Sequence, residues 1–339
     1  MQFARILEKI IDRVDLSGSE MTTVMDQVMQ GQLTAVQIGA LLTALRMKGE
    51  SVEEITAAAQ TMRDHSVRIN TGIDPMVDTC GTGGDGFGTF NISTAAAFIA
   101  AGAGVTIAKH GNRSVSSKCG SADVLLELGV NIDLHPEKVG NCIQTIGIGF
   151  LFAPILHPAM KHAVVPRKEL AIRTMFNMLG PLTNPANAQS QVVGVFAPEL
   201  TEKFGLVLQK LGLRRALVVH GLDHLDEITV TTNTQITELK DSTLSTYTFT
   251  PLQYINNYCT MEQIKGGDAK MNAKIIHDIL SGQKGAFADV ALLNGAAAIY
   301  VSGGLANDFG EAVTKGKHAI ESGAALNKLE DLINFSNRN

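Results

Sequence analysis

From Pro75 onward, short apolar runs alternate with helical patterns, and this constrains the chain more than any other feature. The runs cover residues 76–79, 105–108, 131–134, 148–152, 192–196 and 216–220, and helical spacing fills most of the gaps. A strand buried on both faces reads as a continuous apolar run, and a helix between two such runs returns the chain for parallel pairing. The pattern predicts a mainly parallel sheet covered by helices on both sides. Residues 229–250 differ, being β-rich with threonine runs at 229–232 and 245–250, and predict an antiparallel edge or flap. Helices over 268–280, 286–301, 309–321 and about 326–333 close the chain.

Before Pro75 the sequence reads as helices only. Phe3, Ile6, Leu7, Ile10, Ile11 and Val14 recur at helical spacing. Ser19 is placed to cap a second helix bearing Met21, Val24, Met25 and Val28, which Gly31 ends. Thr34 with Gln37 and Ser51 with Glu54 form capping boxes, opening helices that run to about Lys48 and His65. Four short amphipathic helices make a small bundle. Their outer face must rest on the rest of the chain or on a second subunit.

The 339 residues are enough for two domains, or for one large α/β domain with an appendage. Apolar residues reach 45% and charged residues only 18%, which excludes intrinsic disorder. The net charge of −5 argues against a nucleic-acid-binding protein, which carries a basic face. Cys80, Cys119, Cys142 and Cys259 form no CxxC pair, so neither a structural zinc site nor a disulfide scaffold is expected. No apolar stretch is long enough to span a membrane, and the early charges Arg5, Glu8 and Lys9 do not suit a signal peptide. The expectation is a soluble cytoplasmic protein.

Polar chemistry concentrates after the predicted strands, where open α/β sheets bind ligands. Residues 78–86 read DTCGTGGDG and precede a helix that opens NIST at residues 91–94. Clustered glycines let backbone N–H groups approach a phosphate, and the helix N-terminus adds partial positive charge. The loop is neither a Walker A motif nor a dinucleotide fingerprint; a structural glycine turn is its other reading. Residues 109–123, KHGNRSVSSKCGSAD, crowd cations and serines into one loop, which suits an anionic ligand or a solvated surface. His157, Arg167 and Arg173 follow, with Pro166 suited to the first turn of a helix and Arg167 next to it. Six positions on one helix separate the arginines by roughly 240°. One of them, Arg167, is therefore expected to face ligand while Arg173 packs structurally. Residues 180–185, GPLTNP, form a rigid loop that serves as hinge or wall. The pair Asp226-Glu227 after the last apolar run suits Mg²⁺, or is simply an acidic turn.

The segments DTCGTGGDG, NIST, KHGNRSVSSKCGSAD, RTMFNMLGPLTNP and LDE, in that order, resemble the anthranilate phosphoribosyltransferase family of tryptophan biosynthesis. The resemblance runs through essentially the whole chain. It implies a nucleoside phosphorylase/phosphoribosyltransferase-like fold: a small all-helical domain plus a large α/β domain with a central, mainly parallel sheet. The small domain would be discontinuous, residues 1–72 plus about 157–185, and would form a homodimer; the large domain would be 73–156 and 186–339. The implied reaction is a pentosyl transfer from 5-phosphoribosyl 1-diphosphate (PRPP) to the amine of anthranilate, with Mg²⁺ as cofactor.

Carried onto this sequence, the resemblance places PRPP on Gly81, Gly83, Gly84, Asp85, Thr89, Asn91, Ser93, Thr94, Lys109, Asn112 and Ser121. It places anthranilate on Gly81, His110, Asn112, His157, Arg167, Gly180 and Pro181, with Arg167 on the carboxylate. Mg²⁺ falls to Ser93, Asp226 and Glu227. No general base is assigned, because the anthranilate amine is already neutral; positioning and electrostatics carry the reaction. Neither a nucleic-acid partner nor a membrane is implied. One departure stands out: where the family has a small residue, often glycine, between the two aspartates of the last loop, this chain has His224. Two other readings are a pyrimidine nucleoside phosphorylase of the same fold and a non-catalytic relative that binds nucleic acid. The acidic pair and the KHGNR loop argue against the first, and the net charge against the second.

Overall fold

The structure, a computed structural model, describes residues 2–84, 86–114 and 118–338. It opens with α1 (Gln2–Ile11), α2 (Gly18–Met29), α3 (Ala35–Lys48) and α4 (Val52–Asp64). Thr34 and Ser51 form the reciprocal capping boxes expected of them. The cap of α2 is Ser17 rather than Ser19: Glu20 N–H donates to Ser17 Oγ at 3.3 Å, and Ser17 N–H donates to Glu20 Oε2 at 2.8 Å. The reason is the residue three places on, a carboxylate for Ser17 but Thr22 for Ser19. Met21, Val24, Met25, Ile38, Leu41, Leu45 and Ile55 fill the bundle core.

The α/β part follows as β1 (Val77–Gly81), α5 (Ile92–Gly102), β2 (Ile107–Gly111), α6 (Ser121–Glu127), α7 (Pro136–Ile146) and β3 (Ile148–Phe152). Then come α8 (Ala153–Leu156), α9 (Lys161–Leu170), α10 (Met175–Leu179), β4 (Ser190–Gly194), α11 (Leu200–Lys210) and β5 (Arg215–Gly221). The hairpin β6 (Thr234–Lys240) and β7 (Thr243–Phe249) precedes α12 (Ala269–Leu280), α13 (Ala286–Val301), α14 (Phe309–Glu321) and α15 (Ala324–Asn337).

The strands form one seven-stranded sheet in the order β3-β2-β1-β4-β5-β6-β7. The first five are parallel, and the terminal hairpin is antiparallel. Both faces are apolar: along β5, Leu217 and Val219 join the core under α5 and α13, while Ala216 and Val218 join the core shared with α11 and the bundle. α9 and α10 also pack on the bundle, against α2, α3 and α4. The fold is thus a helical bundle plus a large α/β body with a mostly parallel sheet.

Four expectations need correction. Residues 131–134 are not a strand. Val130, Ile132 and Leu134 are buried, but the segment bonds to helices and not to a strand, with Val130 N–H donating to Leu125 O at 2.9 Å. Asn131 N–H donates instead to Ser336 Oγ at 3.0 Å. The threonines of 229–232 make no strand either; Thr229 and Thr231 turn their hydroxyls onto the Asp223 carboxylate. Lys109 and His110 lie within β2 itself, not in the loop after it. Finally, Pro166 does not open a helix. A 3₁₀ turn at Pro158–Met160 leads straight into α9, so Pro166 falls inside that helix and Arg167 in its last turn. Ala171, at φ 51°, ends α9 before Arg173, so the two arginines never share a helix and the 240° argument lapses.

Glu54 ties the bundle together. Its fully buried carboxylate accepts from Leu16 N–H at 2.9 Å, Ser51 N–H at 2.8 Å and Lys48 Nζ at 2.8 Å. Lys48 also pairs with Asp15, so removing the Glu54 carboxylate chiefly strands the Leu16 and Ser51 N–H groups, at about 1–3 kcal/mol for each buried donor. Glu54→Ala is therefore expected to lower Tm by several degrees in calorimetry, whereas Glu53→Ala, which frees only Gly18 N–H, moves it far less.

Candidate functional site

β1 has β2 on one side and β4 on the other, so the strand order reverses between β1 and β4. Loops leaving the carboxyl ends of such a pair diverge and open a crevice. At its floor Gly81 pairs with Gly194. The segment after β5 lies directly across this pair. A Cβ on Gly194 would stand 1.5 Å from Asp226 O, and one on Gly81 would stand 2.7 Å from Asp226 Oδ2. Neither position tolerates a side chain. The Asp226 carboxylate accepts from Gly83 N–H at 2.7 Å, and Gly83 and Gly84 adopt φ of 66° and 78°. The acidic loop and the glycine-rich loop are thereby one structure. Asp223 shapes the turn, accepting from Leu225 N–H at 3.1 Å and Thr229 Oγ1 at 2.6 Å. His224 is exposed at φ 74°, a region where glycine is at ease, which matches the residue the family usually has there.

Beside this floor Lys109 is buried. Its Nζ donates to Thr79 O at 2.5 Å and approaches Ser93 Oγ at 3.2 Å, so it links β1, β2 and the first turn of α5. Burial pushes the Lys109 ammonium down, and the carboxylates of Asp78 and Glu227 pull it back up. Asp78, fully buried in β1, is pushed up by burial and held back by neighbours that include Lys109. Its Oδ1 accepts from His110 N–H at 3.0 Å, and the side chains of Asn184 and Cys80 also help hold the carboxyl down. Thr94, in the first turn of α5, is 1% exposed with an unpartnered Oγ1.

The second cluster is a pair of imidazoles. His110 ends β2 and His157 follows α8; their ring centroids are 5.1 Å apart. Burial holds His110 at about 3 and His157 at about 4, so both are neutral. His110 bonds the Gly180 backbone and His157 the Thr183 backbone, yet each Nε2 is buried without a partner. The bond made by the other nitrogen fixes the tautomer, which leaves Nε2 as a lone-pair acceptor. Gly180 and Pro181 thus stand next to the histidines. Pro181 O is itself fixed by Gln191 Nε2 at 2.6 Å.

The remaining expected residues are distributed as follows. Arg167 lies with its guanidinium 5.2 Å from the Phe176 ring centroid; burial lowers it from its ordinary value, and no carboxylate pairs with it among the described residues. Arg173 lies 4.5 Å from the Phe196 ring centroid and against the Gly84 backbone of the glycine-rich loop. Asn91 spends its side chain on Cys119 O at 3.1 Å and on Asn272 Nδ2 at 3.0 Å. Thr89 bridges to Lys265. Asn112 is exposed, and its carbonyl accepts from Ser121 Oγ at 3.3 Å. Asp85 lies outside the described residues, as do residues 115–117 of the second loop.

Sequence reading gave no role to Asp78 or Asn184. Asp78 was visible as a charge inside an apolar run. Asn184 is pinned under β2, its Nδ2 donating to Ala108 O at 2.8 Å, and nothing in the local sequence signals so distant a partner.

The two histidines generate a pH prediction. An imidazole held neutral by folding but free to charge near 6.5 when unfolded binds fewer protons in the native state. Stability is then full above about pH 6.5 and falls as pH drops towards the native values of about 4 and 3. In ¹⁵N-histidine NMR spectra the His110 and His157 resonances are expected not to titrate between pH 8 and 5. A midpoint near 6.5 for either would contradict their burial as neutral rings.

Comparison with known proteins agrees with this architecture. Residues 73–326 match the model of the glycosyl transferase family a/b domain, and residues 4–66 match that of its helical bundle domain. The anthranilate phosphoribosyltransferase of Acetivibrio thermocellus is 51% identical over 333 residues, 98% of this chain and 96% of its own. The crystal structure of anthranilate phosphoribosyltransferase from Thermus thermophilus superposes with a TM-score of 0.93 at 40% identity, covering 98% of this chain and 99% of that one. The Saccharomyces cerevisiae enzyme in complex with PRPP and Mg superposes with a TM-score of 0.88 at 27% identity, covering 98% and 97%. With half its residues identical along nearly the full length of such a relative, the chain belongs to the anthranilate phosphoribosyltransferase family.

Proposed function

We propose that this chain transfers the 5-phosphoribosyl group of PRPP to the amine of anthranilate, releasing diphosphate. One observation carries the reading. Among the described residues, three of the buried polar atoms without a partner are Thr94 Oγ1, His110 Nε2 and His157 Nε2, on α5, β2 and the turn after α8. Native proteins rarely leave such atoms unpaired, and a catalytic role is one of the recognised reasons. Thr94 Oγ1, at the start of α5, suits a phosphate oxygen. The two imidazole lone pairs suit an N–H donor, which an aromatic amine supplies.

The residues present fit Mg²⁺. Asp226 and Glu227 offer carboxylate oxygens and Ser93 a hydroxyl, a small hard-donor set of the kind Mg²⁺ completes with water and substrate phosphates. When bound, the metal spreads the charge of the departing diphosphate. Everything else falls to the chain. The glycine-rich loop and the start of α5 hold the donor, and Lys109, tied to Thr79 O and Ser93 Oγ, stands beside them. As the bond from the ribosyl carbon to diphosphate breaks, the amine nitrogen forms its bond to that carbon and then sheds a proton. His110 and His157, neutral and screened from water, orient the amine. Arg167, with no carboxylate of its own among the described residues, holds the carboxylate of anthranilate.

The reading includes a discontinuous helical domain, residues 1–72 plus about 157–185, because α9 and α10 pack on α2, α3 and α4. It includes a homodimer through that domain, supported by Ile11, Val36 and Met47, which are 64%, 82% and 71% exposed. A reducing cytoplasm suits the four free cysteines.

The test is the loss of anthranilate fluorescence. It is expected only when protein, PRPP and Mg²⁺ are all present; no loss with folded protein would overturn the acceptor. Arg167→Gln removes a charge-assisted contact of about 1.5–3 kcal/mol, which is roughly a tenfold to hundredfold rise in the KM for anthranilate. The KM for PRPP should stay within about threefold. Equal rises in both would remove Arg167 from the acceptor's carboxylate.

A further inference from the structure

The junction between the bundle and the α/β body holds a polar cavity of about 90 Å³ that the transferase reading does not use. Arg63 and Ser66 from the end of α4, Arg68 just beyond, and Asn184 and Asn187 from the loop before β4 line it. Its volume exceeds what one water needs several times over. Arg63 is half-buried, and its one side-chain hydrogen bond among the described residues is Nε to Leu182 O at 2.8 Å. Its two terminal nitrogens have no partner there, and no carboxylate pairs with it. Burial and the like charge of Arg68 push Arg63 down to about 10. Arg68 pairs with Asp64 at 2.9 Å, but both side chains are more than half exposed, which makes that pair weak. Asp78 also acts on Arg63, from β1. Two guanidinium groups line one polar cavity, and among the described residues only Arg68 has a carboxylate at contact distance, which leaves a set of N–H donors suited to an anion.

We propose that this cavity binds a small oxyanion of phosphate size, held by Arg63 and Arg68. The site is separate from the donor cradle at the start of α5. It lies where Arg63 Nε grips Leu182 O, one residue before Thr183, whose backbone holds His157. Its ligand therefore sits against the same loop that orients the acceptor pocket.

The probe is inorganic phosphate, measured by isothermal titration calorimetry against chloride at equal ionic strength. Phosphate can also enter the donor cradle, so two variants separate the sites. Arg68→Gln touches an exposed side chain and leaves the fold intact; Thr94→Val removes a hydroxyl from the donor cradle with little change of shape. The proposal expects Thr94→Val to keep a phosphate site that Arg68→Gln weakens at least tenfold. Arg63→Lys, which keeps the charge but loses the fork, should weaken it as well. Phosphate binding untouched by Arg68→Gln, or abolished by Thr94→Val, would assign all of it to the donor cradle and overturn the second site. Because binding is read without turnover, failure here leaves the transferase reading standing, and the reverse also holds.

Discussion

Everything at the site rests on the contact between the Asp226 segment and the Gly81–Gly194 pair. With no Cβ on either glycine, the chain after β5 lies flat on the sheet at the point where strand order reverses. That approach lets the Asp226 carboxylate reach Gly83 N–H and sets Glu227 where its charge acts on Lys109. The contact joins two loops that share no helix and do not follow each other in sequence. A methyl group on Gly194 would not merely crowd it but occupy the place of the Asp226 carbonyl. The position of the acidic pair is therefore a property of the sheet, set by two missing side chains.

The second theme is charge kept where water is scarce. Lys109, Asp78, His110 and His157 are all nearly inaccessible. Burial drives each towards neutrality, and the structure answers differently at each. The histidines yield and stay neutral. Lys109 and Asp78 act on each other across β1 and β2, and hydroxyls and a carbonyl gather round the ammonium. Such preorganisation has a stability cost that the large apolar core under α5 and α13 offsets. It leaves polar atoms oriented before any ligand arrives, which is how electrostatic catalysis avoids reorganisation.

Much of this was legible in the sequence. Apolar runs located five of the seven strands, because strands buried on both faces have no other way to read. Reciprocal capping signals located α3 and α4, because the boxes depend on residues three apart. What failed was non-local. The run at 131–134 looks like a strand, and only the bond of Asn131 N–H to Ser336, 205 residues on in the last helix, shows where its backbone goes instead. Pro166 looks like a helix start, and only the helical turn already formed upstream puts it inside α9. The glycines of the first loop advertised a phosphate cradle, but that Gly194 would matter as much was invisible, since its partner lies 32 residues on in the sequence. Asn184 and Arg63 act through backbone carbonyls 76 and 119 residues away, beyond any local pattern.

The bond between Gly83 and Asp226 spans 143 residues, which gives the site a place in time as well as in space. During synthesis the glycine-rich loop leaves the ribosome long before β4 and β5 exist. Until they dock, its backbone has neither its floor nor its carboxylate. Long-range closures of this kind come late, once local helices have formed. The bundle at the N-terminus can assemble early from neighbouring helices, whereas the donor loop matures only when the sheet does. A chain cut short before residue 226 could keep a folded amino-terminal bundle and still have no donor site, so a truncated product could hold a bundle face without competing for the sugar donor.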